Sequence, residues 1–237
     1  MITVYSGPVG TGKSYHAVHT IIEYLRMGRN VIADFPVDLT GLKHIKGQFF
    51  YRDNLTVPML VRYAEQYHDL QSEHEHQTLI VIDEVYNYFD PREFGRPDRM
   101  LWMAFLKLSR HYCFDILLLA QDGKTDIDKK VIRMIDFDVV HKDLSRMQWG
   151  FQLLCLLTGK WFLAIRWGCQ KGIPKSKIDV QWVHLNKKFC WRYNSHHLFD
   201  ASAFQRLLKE YMKKYGKEGG EGDGTGAAEL AECFGGG

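Results

Sequence analysis

Eight consecutive residues carry the most specific chemistry in the chain: Gly7, Pro8, Val9, Gly10, Thr11, Gly12, Lys13 and Ser14. They match G-x-x-x-x-G-K-[ST], a pattern built for a triphosphate. Glycines let the main chain curl so that successive N–H groups point inward at phosphate oxygens. A helix that starts where the loop ends adds exposed N–H groups and the positive end of its dipole. Lys13 is placed to reach the β- and γ-phosphates, and the Ser14 hydroxyl to ligate Mg²⁺. With Tyr15 in the first helical turn, Gly7 to Tyr15 are the expected nucleotide-binding set.

A second run, Leu79-Ile80-Val81-Ile82-Asp83-Glu84, ends four apolar residues in adjacent carboxylates. Asp83 would hold Mg²⁺ directly or through water. Glu84 would polarise a water for attack on the γ-phosphate. Gln121 follows the apolar run Ile116–Ala120 and is positioned to sense the γ-phosphate. Arg110 has two readings: an arginine finger toward a neighbouring subunit's nucleotide, or one half of a surface salt bridge. Arg92, Arg96 and Arg99 could meet phosphate or single-stranded DNA, although a solvated loop is the better reading. Glu73-His74-Glu75-His76 resembles a metal cluster but sits in a polar stretch without matching ligands. His196-His197 reads as structural. No N/T-K-x-D guanine-reading motif occurs, which argues against GTP.

These groups need a scaffold that sends strand ends to one edge. Residues 2–5 form a short apolar run before the loop, and 13–27 carry Ala17, Ile21, Ile22 and Leu25 at helical spacing, with Gly28 to end the helix. Strand-like runs at 30–35, 48–51, 79–82, 115–120 and 137–140 alternate with helical spacing at 56–70 and 98–112. That alternation predicts an α/β fold with a parallel sheet flanked by helices over residues 1–145.

Beyond residue 145 the composition turns to Trp and Phe, which predicts a β-rich appendage over 146–199. As a membrane span the apolar stretch 149–167 is the lesser reading: Lys160 near its middle costs about 2.5–3.5 kcal/mol and brings the insertion sum to near zero or unfavourable. The expectation is a β-hairpin turning at Thr158-Gly159-Lys160. An amphipathic helix follows over 201–215, capped by Asp200, and closes a second segment, 146–215. Residues 216–237 are glycine-rich and expected to be a disordered tail.

The 237 residues are 46% hydrophobic and 25% charged, with a formal net charge of +3. This excludes a disordered chain and gives no global attraction to nucleic acid. Five cysteines without a C-x-x-C pair, and no basic leader, predict reduced thiols in the cytoplasm.

The loop SGPVGTGKSYHA, the run LIVIDEVYNYF, and Ser109-Arg110-His111 followed by DILLLAQD together resemble the Zot family. These are the zonula occludens toxin-like proteins and the assembly ATPases of filamentous phages. The resemblance covers roughly residues 1–145, and more weakly a region ending near Trp191-Arg192-Tyr193. It implies a P-loop ATPase of the additional-strand class, using ATP and Mg²⁺, with Lys13, Glu84, Gln121 and Arg110 as catalytic residues. It further implies an oligomeric motor on the cytoplasmic face of the host inner membrane that drives assembly and extrusion of filamentous phage. Its partners would be coat protein or phage single-stranded DNA, with the membrane reached through other proteins or a further segment. The alternatives are a nucleotide-gated DNA-binding or scaffold protein without turnover, and a P-loop small-molecule kinase.

Overall fold

The computed structural model describes residues 1–71, 75–89, 97–122, 127–146, 149–169, 175–184 and 192, all within a compact unit spanning Met1–Asn194. The helix expected over 201–215 and the tail 216–237 lie outside the described residues. The elements are β1 (Ile2–Ser6), α1 (Lys13–Arg26), β2 (Asn30–Ala33), β3 (Phe49–Tyr51), α2 (Val57–Tyr67), β4 (Thr78–Ile82) and α3 (Tyr86–Phe89). Then come α4 (Arg99–Leu108), β5 (Phe114–Ala120), α5 (Lys129–Ile132), β6 (Phe137–Asp143), a 3-10 turn (Leu144–Arg146), α6 (Trp149–Thr158), β7 (Lys160–Gly168) and β8 (Ser176–His184).

The eight strands form one sheet in the order β3-β2-β4-β5-β1-β6-β7-β8. The first six run parallel, and β7 and β8 are antiparallel additions at one side. Every residue of β1, β4 and β5 is buried, as their continuous apolar runs require of central parallel strands. The two-residue period of a strand splits those runs between two cores. Ile80, Ile82, Ile116 and Leu118 pack with Leu60 of α2 and with Trp102 and Phe105 of α4. Leu79, Val81, Leu117 and Leu119 pack on the other face with Ala17, Ile21 and Leu25 of α1. The result is a helix–sheet–helix sandwich.

The six strands up to Asp143 run parallel between helices, as expected, and residues past 145 extend the same sheet antiparallel through the β6–β7 pairing, in which His141 faces Ala164. One expectation changes. Within 149–167 the turn falls where expected, but only its second arm is a strand; the first arm is helix α6. The alternation that marks a strand begins at Trp161. Upstream, Leu153, Leu156 and Leu157 have helical spacing and high helix propensity. Gly159, at φ 66°, stops the helix and donates its N–H to the Cys155 carbonyl at 2.8 Å. Among the described residues no helix is long and apolar enough to cross a membrane.

Candidate functional site

The carboxyl ends of three central strands meet at one edge of the sheet. Val4 of β1 and Ile82 of β4 both lie level with Leu118 of β5. The glycine loop after β1, the Asp83-Glu84 pair after β4 and Gln121 after β5 therefore emerge together. β5 separates β1 from β4, so the loop and the carboxylates stand about 10 Å apart, two strand spacings. That leaves room for a polyphosphate between them.

The loop is curled and internally tied. Gly12 takes a left-handed conformation at the head of α1, and its carbonyl accepts the His16 N–H at 2.9 Å. The Thr11 hydroxyl donates to the Pro8 carbonyl at 2.7 Å. The Lys13 ammonium folds back and donates to the carbonyls of Gly7 (2.5 Å) and Pro8 (2.9 Å). Two glycines are required by their left-handed conformation, and each has a close neighbour. A Cβ on Gly10 (φ 81°) would lie 2.7 Å from Arg146 Nη2, and one on Gly12 (φ 86°) would lie 2.7–2.9 Å from the Phe162 ring. Both neighbours come from the wall built by β6, the 3-10 turn and β7. Tyr15 reaches the same side, its hydroxyl donating to the His184 carbonyl at 2.9 Å.

The acidic half is equally specific. Asp83 is buried, and its N–H donates to Asp34 Oδ1 at 2.8 Å. Burial, with the Asp83 charge adding to it, pushes the Asp34 carboxyl up to about 8. Glu84 adopts φ 47°, a left-handed conformation that a non-glycine residue takes at some cost. Its N–H donates to Asp83 Oδ1 at 2.9 Å, and Val85 N–H donates to Leu119 O at 3.1 Å, which ties the turn to β5. Partial burial and then the Asp83 charge raise the Glu84 proton affinity. Behind the loop, His16 Nδ1 and His141 Nε2 lie 2.8 Å apart in the core. His141 Nδ1 donates to the Val139 carbonyl at 3.0 Å, so its Nε2 accepts the proton of His16 Nδ1 and both rings are neutral. Burial lowers them to about 3 and about 4.

The family profile of zonular occludens toxin (Zot) matches residues 1–155. The chain belongs to the Zot family. No curated protein matches its sequence. Among solved structures, this Zot-family chain is similar to the N-terminal domain of zonular occludens toxin from Neisseria meningitidis (16% identity, TM-score 0.45, 81% of this chain and 98% of that one). It is also similar to the genome packaging NTPase B204 from Sulfolobus turreted icosahedral virus 2 in complex with ATP-gammaS (15%, TM-score 0.47, 75% and 96%). A third similar structure is B204, the DNA-packaging ATPase from Sulfolobus turreted icosahedral virus (15%, TM-score 0.47, 75% and 96%). The chain's own fold is a mixed sheet of eight strands flanked by helices, with a glycine-rich loop between β1 and α1.

The Zot-family chain thus brings Gly7 to Tyr15, Asp83, Glu84 and Gln121 to one edge. Arg110 is elsewhere. It precedes β5 at the opposite end of the sheet, roughly 20 Å away along the strand, and pairs with Glu75 at 3.2 Å. Arg99 pairs with Asp128 at the head of α5, a structural contact rather than a phosphate one. His76 donates to Asp115, and among the described residues no three His, Cys, Asp or Glu side chains group as a metal site. Arg92, Arg96, Glu73, His74, His196 and His197 lie outside the described residues. Sequence reasoning missed Asp34, the His16–His141 pair, Arg146 and Phe162. Only Asp34 left a trace there: a carboxylate at a strand end two residues before a proline.

Proposed function

We propose that this chain is a Mg²⁺-dependent ATPase that drives assembly and extrusion of filamentous phage at the host inner membrane. The observation that carries the reading is the common edge: a phosphate loop on β1 and the Asp83-Glu84 pair on β4, with β5 and Gln121 between them. Lys13 would exchange the carbonyls of Gly7 and Pro8 for β- and γ-phosphate oxygens, a trade of neutral acceptors for charged ones. Glu84 would take a proton from the attacking water, and its raised proton affinity suits a base. As the new O–P bond forms, the bond from the γ-phosphorus to the β–γ bridging oxygen breaks, and its electron pair leaves on ADP.

Ser14 and Asp83 supply hard oxygen donors. Mg²⁺ needs one or two carboxylates besides phosphates and waters, so this small set fits the ion, which when bound neutralises phosphate charge. Gln121 would report loss of the γ-phosphate to the rest of the chain. Arg110, remote from its own loop, would act only on a neighbouring subunit's nucleotide in an oligomer. The moved substrate would be coat protein or phage single-stranded DNA.

The test is calorimetry with MgATP, followed by phosphate release from γ-labelled ATP with and without single-stranded DNA and coat protein. Heat on titration and label released as free phosphate support the reading. Binding without release under every condition makes the chain a nucleotide-gated scaffold. Label on another small molecule makes it a kinase.

A further inference from the structure

We propose that Arg146 is a built-in arginine of the nucleotide site, reaching the phosphates held by the loop of its own chain. There it would stabilise the negative charge that collects on the β–γ bridging oxygen as that bond breaks. The inference rests on the reading that the loop binds and hydrolyses ATP, and goes beyond it by naming a charge in cis.

The placement is built rather than incidental. β6 neighbours β1, and the 3-10 turn that ends β6 leans over the loop that ends β1. Asp143, the last residue of β6, anchors the arginine: its Oδ2 accepts Nε at 3.1 Å. Asp143 is itself fixed, because its Oδ1 accepts the Ser145 N–H (2.9 Å) and the Ser145 hydroxyl (2.6 Å). Gln152 of α6 then holds the Ser145 carbonyl at 3.0 Å. The Nε contact sets the plane of the guanidinium and leaves its terminal nitrogens over the loop. Nη2 stands 2.7 Å from where a Cβ on Gly10 would be, and Nη1 makes a long contact of 3.4 Å to the Val9 carbonyl.

Two cations therefore border one short arc of main chain. Lys13 sits on the carbonyls of Gly7 and Pro8, and Arg146 sits beside that of Val9. Two like charges at one loop repel, and the Asp143 carboxylate offsets this only from the Nε side of Arg146, away from the terminal nitrogens that face the loop. A polyphosphate entering the loop supplies an anion that both can share. A guanidinium fork with its terminal N–H groups presented can bridge two phosphate oxygens, which an ammonium cannot do. Arg146 is two-thirds exposed, so it is not held there by packing. With no side chain at Gly10, the terminal nitrogens can come close to the loop's main chain.

The experiment uses the full chain and compares R146A and R146K with wild type. Melting temperature, MgATP affinity and phosphate release are read on each protein. R146A should melt within about 2 °C of wild type, as an exposed side chain predicts. Its MgATP affinity should weaken by less than about 10-fold while kcat falls by about 100-fold or more, in the direction of the 10³–10⁵ that such an arginine supplies. R146K should recover little. Mixing R146A with K13A should restore nothing, because the chain with an intact loop lacks the arginine and the chain with the arginine lacks the loop lysine. A kcat for R146A within about 3-fold of wild type overturns the proposal. Recovery in the mixture overturns action in cis. If R146A fails to fold, R146K carries the same comparison: wild-type kcat in R146K overturns the need for a fork. Wild type that neither binds nor hydrolyses MgATP is a different failure, visible before any variant is made, and removes the ATPase reading together with this one.

Discussion

The two ends of the same strands treat charge in opposite ways. At the amino ends charge is closed. Asp115, buried at the start of β5, accepts the Met1 ammonium (3.2 Å), His76 Nδ1 (2.6 Å) and the Tyr24 hydroxyl (2.6 Å). Asp136 accepts the Ile2 N–H at 2.7 Å, and Arg110 and Glu75 pair nearby. At the carboxyl ends charge is left poised. Lys13 rests on its own loop, Glu84 sits in a left-handed conformation, Asp34 is pushed up toward neutral pH, and two buried histidines are kept uncharged. The first arrangement resists change. The second sets perturbed carboxylates beside a phosphate loop, whereas left-handed residues occur at both ends, Glu84 at this one and His76 and Cys113 at the other.

The sharpest break of that contrast is Lys13→Ala. Removing a charge-assisted phosphate contact should weaken MgATP binding by about 100-fold or more and abolish turnover, with the melting temperature nearly unchanged. Calorimetry and thermal melts read both; unaltered affinity would deny that the loop holds phosphate. Next is Glu84→Gln, which keeps shape and removes the base. Turnover should drop by about 10²–10⁴-fold while ATP binding survives. Normal hydrolysis in this variant would remove Glu84 from the catalytic step.

The opposite end should respond in reverse. Asp115→Ala leaves His76 and Tyr24 without their acceptor and should cost about 2–3 kcal/mol of stability, read as a lower urea midpoint. Its affinity for MgATP should stay within about 2-fold of wild type. A matching loss of affinity would show that the two ends are energetically one unit.

How far this contrast was readable in advance depends on range. The phosphate loop, the carboxylate pair and the buried strands are local signals: fixed spacings and continuous apolar runs such as Leu79–Ile82. What stayed hidden depends on neighbours that only the sheet order creates. His16 and His141 are 125 positions apart and meet because β6 lies beside β1. Arg146 reads as one more charge in a polar turn until that adjacency sets it over Gly10. Helix α6 is hidden for a different reason: Trp and Phe on both sides of Gly159 suggest strands, while the leucines between them favour helix.

The smallest effect concerns Asp34 and can be isolated by pH. Its carboxyl moves from an ordinary 3.8 to about 8, so the folded chain holds the proton more tightly than the unfolded chain. The stability this group contributes is complete below about 3.8 and is lost as pH rises through about 8. The buried histidines work in the other direction. Lowered to about 3 and about 4, they favour folding above their unfolded value of 6.5 and withdraw that support as pH falls. Wild type and Asp34→Asn both keep the two histidines, so across roughly pH 6.5 to 8.5 the histidine contribution cancels in their difference and the Asp34 contribution is the one that changes. Asp34→Asn cannot ionise, so its melting temperature relative to wild type should rise across that window, by about 2–4 °C for each kcal/mol that wild type loses. A difference that stays flat over the same window would mean that Asp34 is already ionised in the folded chain, and that the mouth of the site holds a further negative carboxylate beside Asp83.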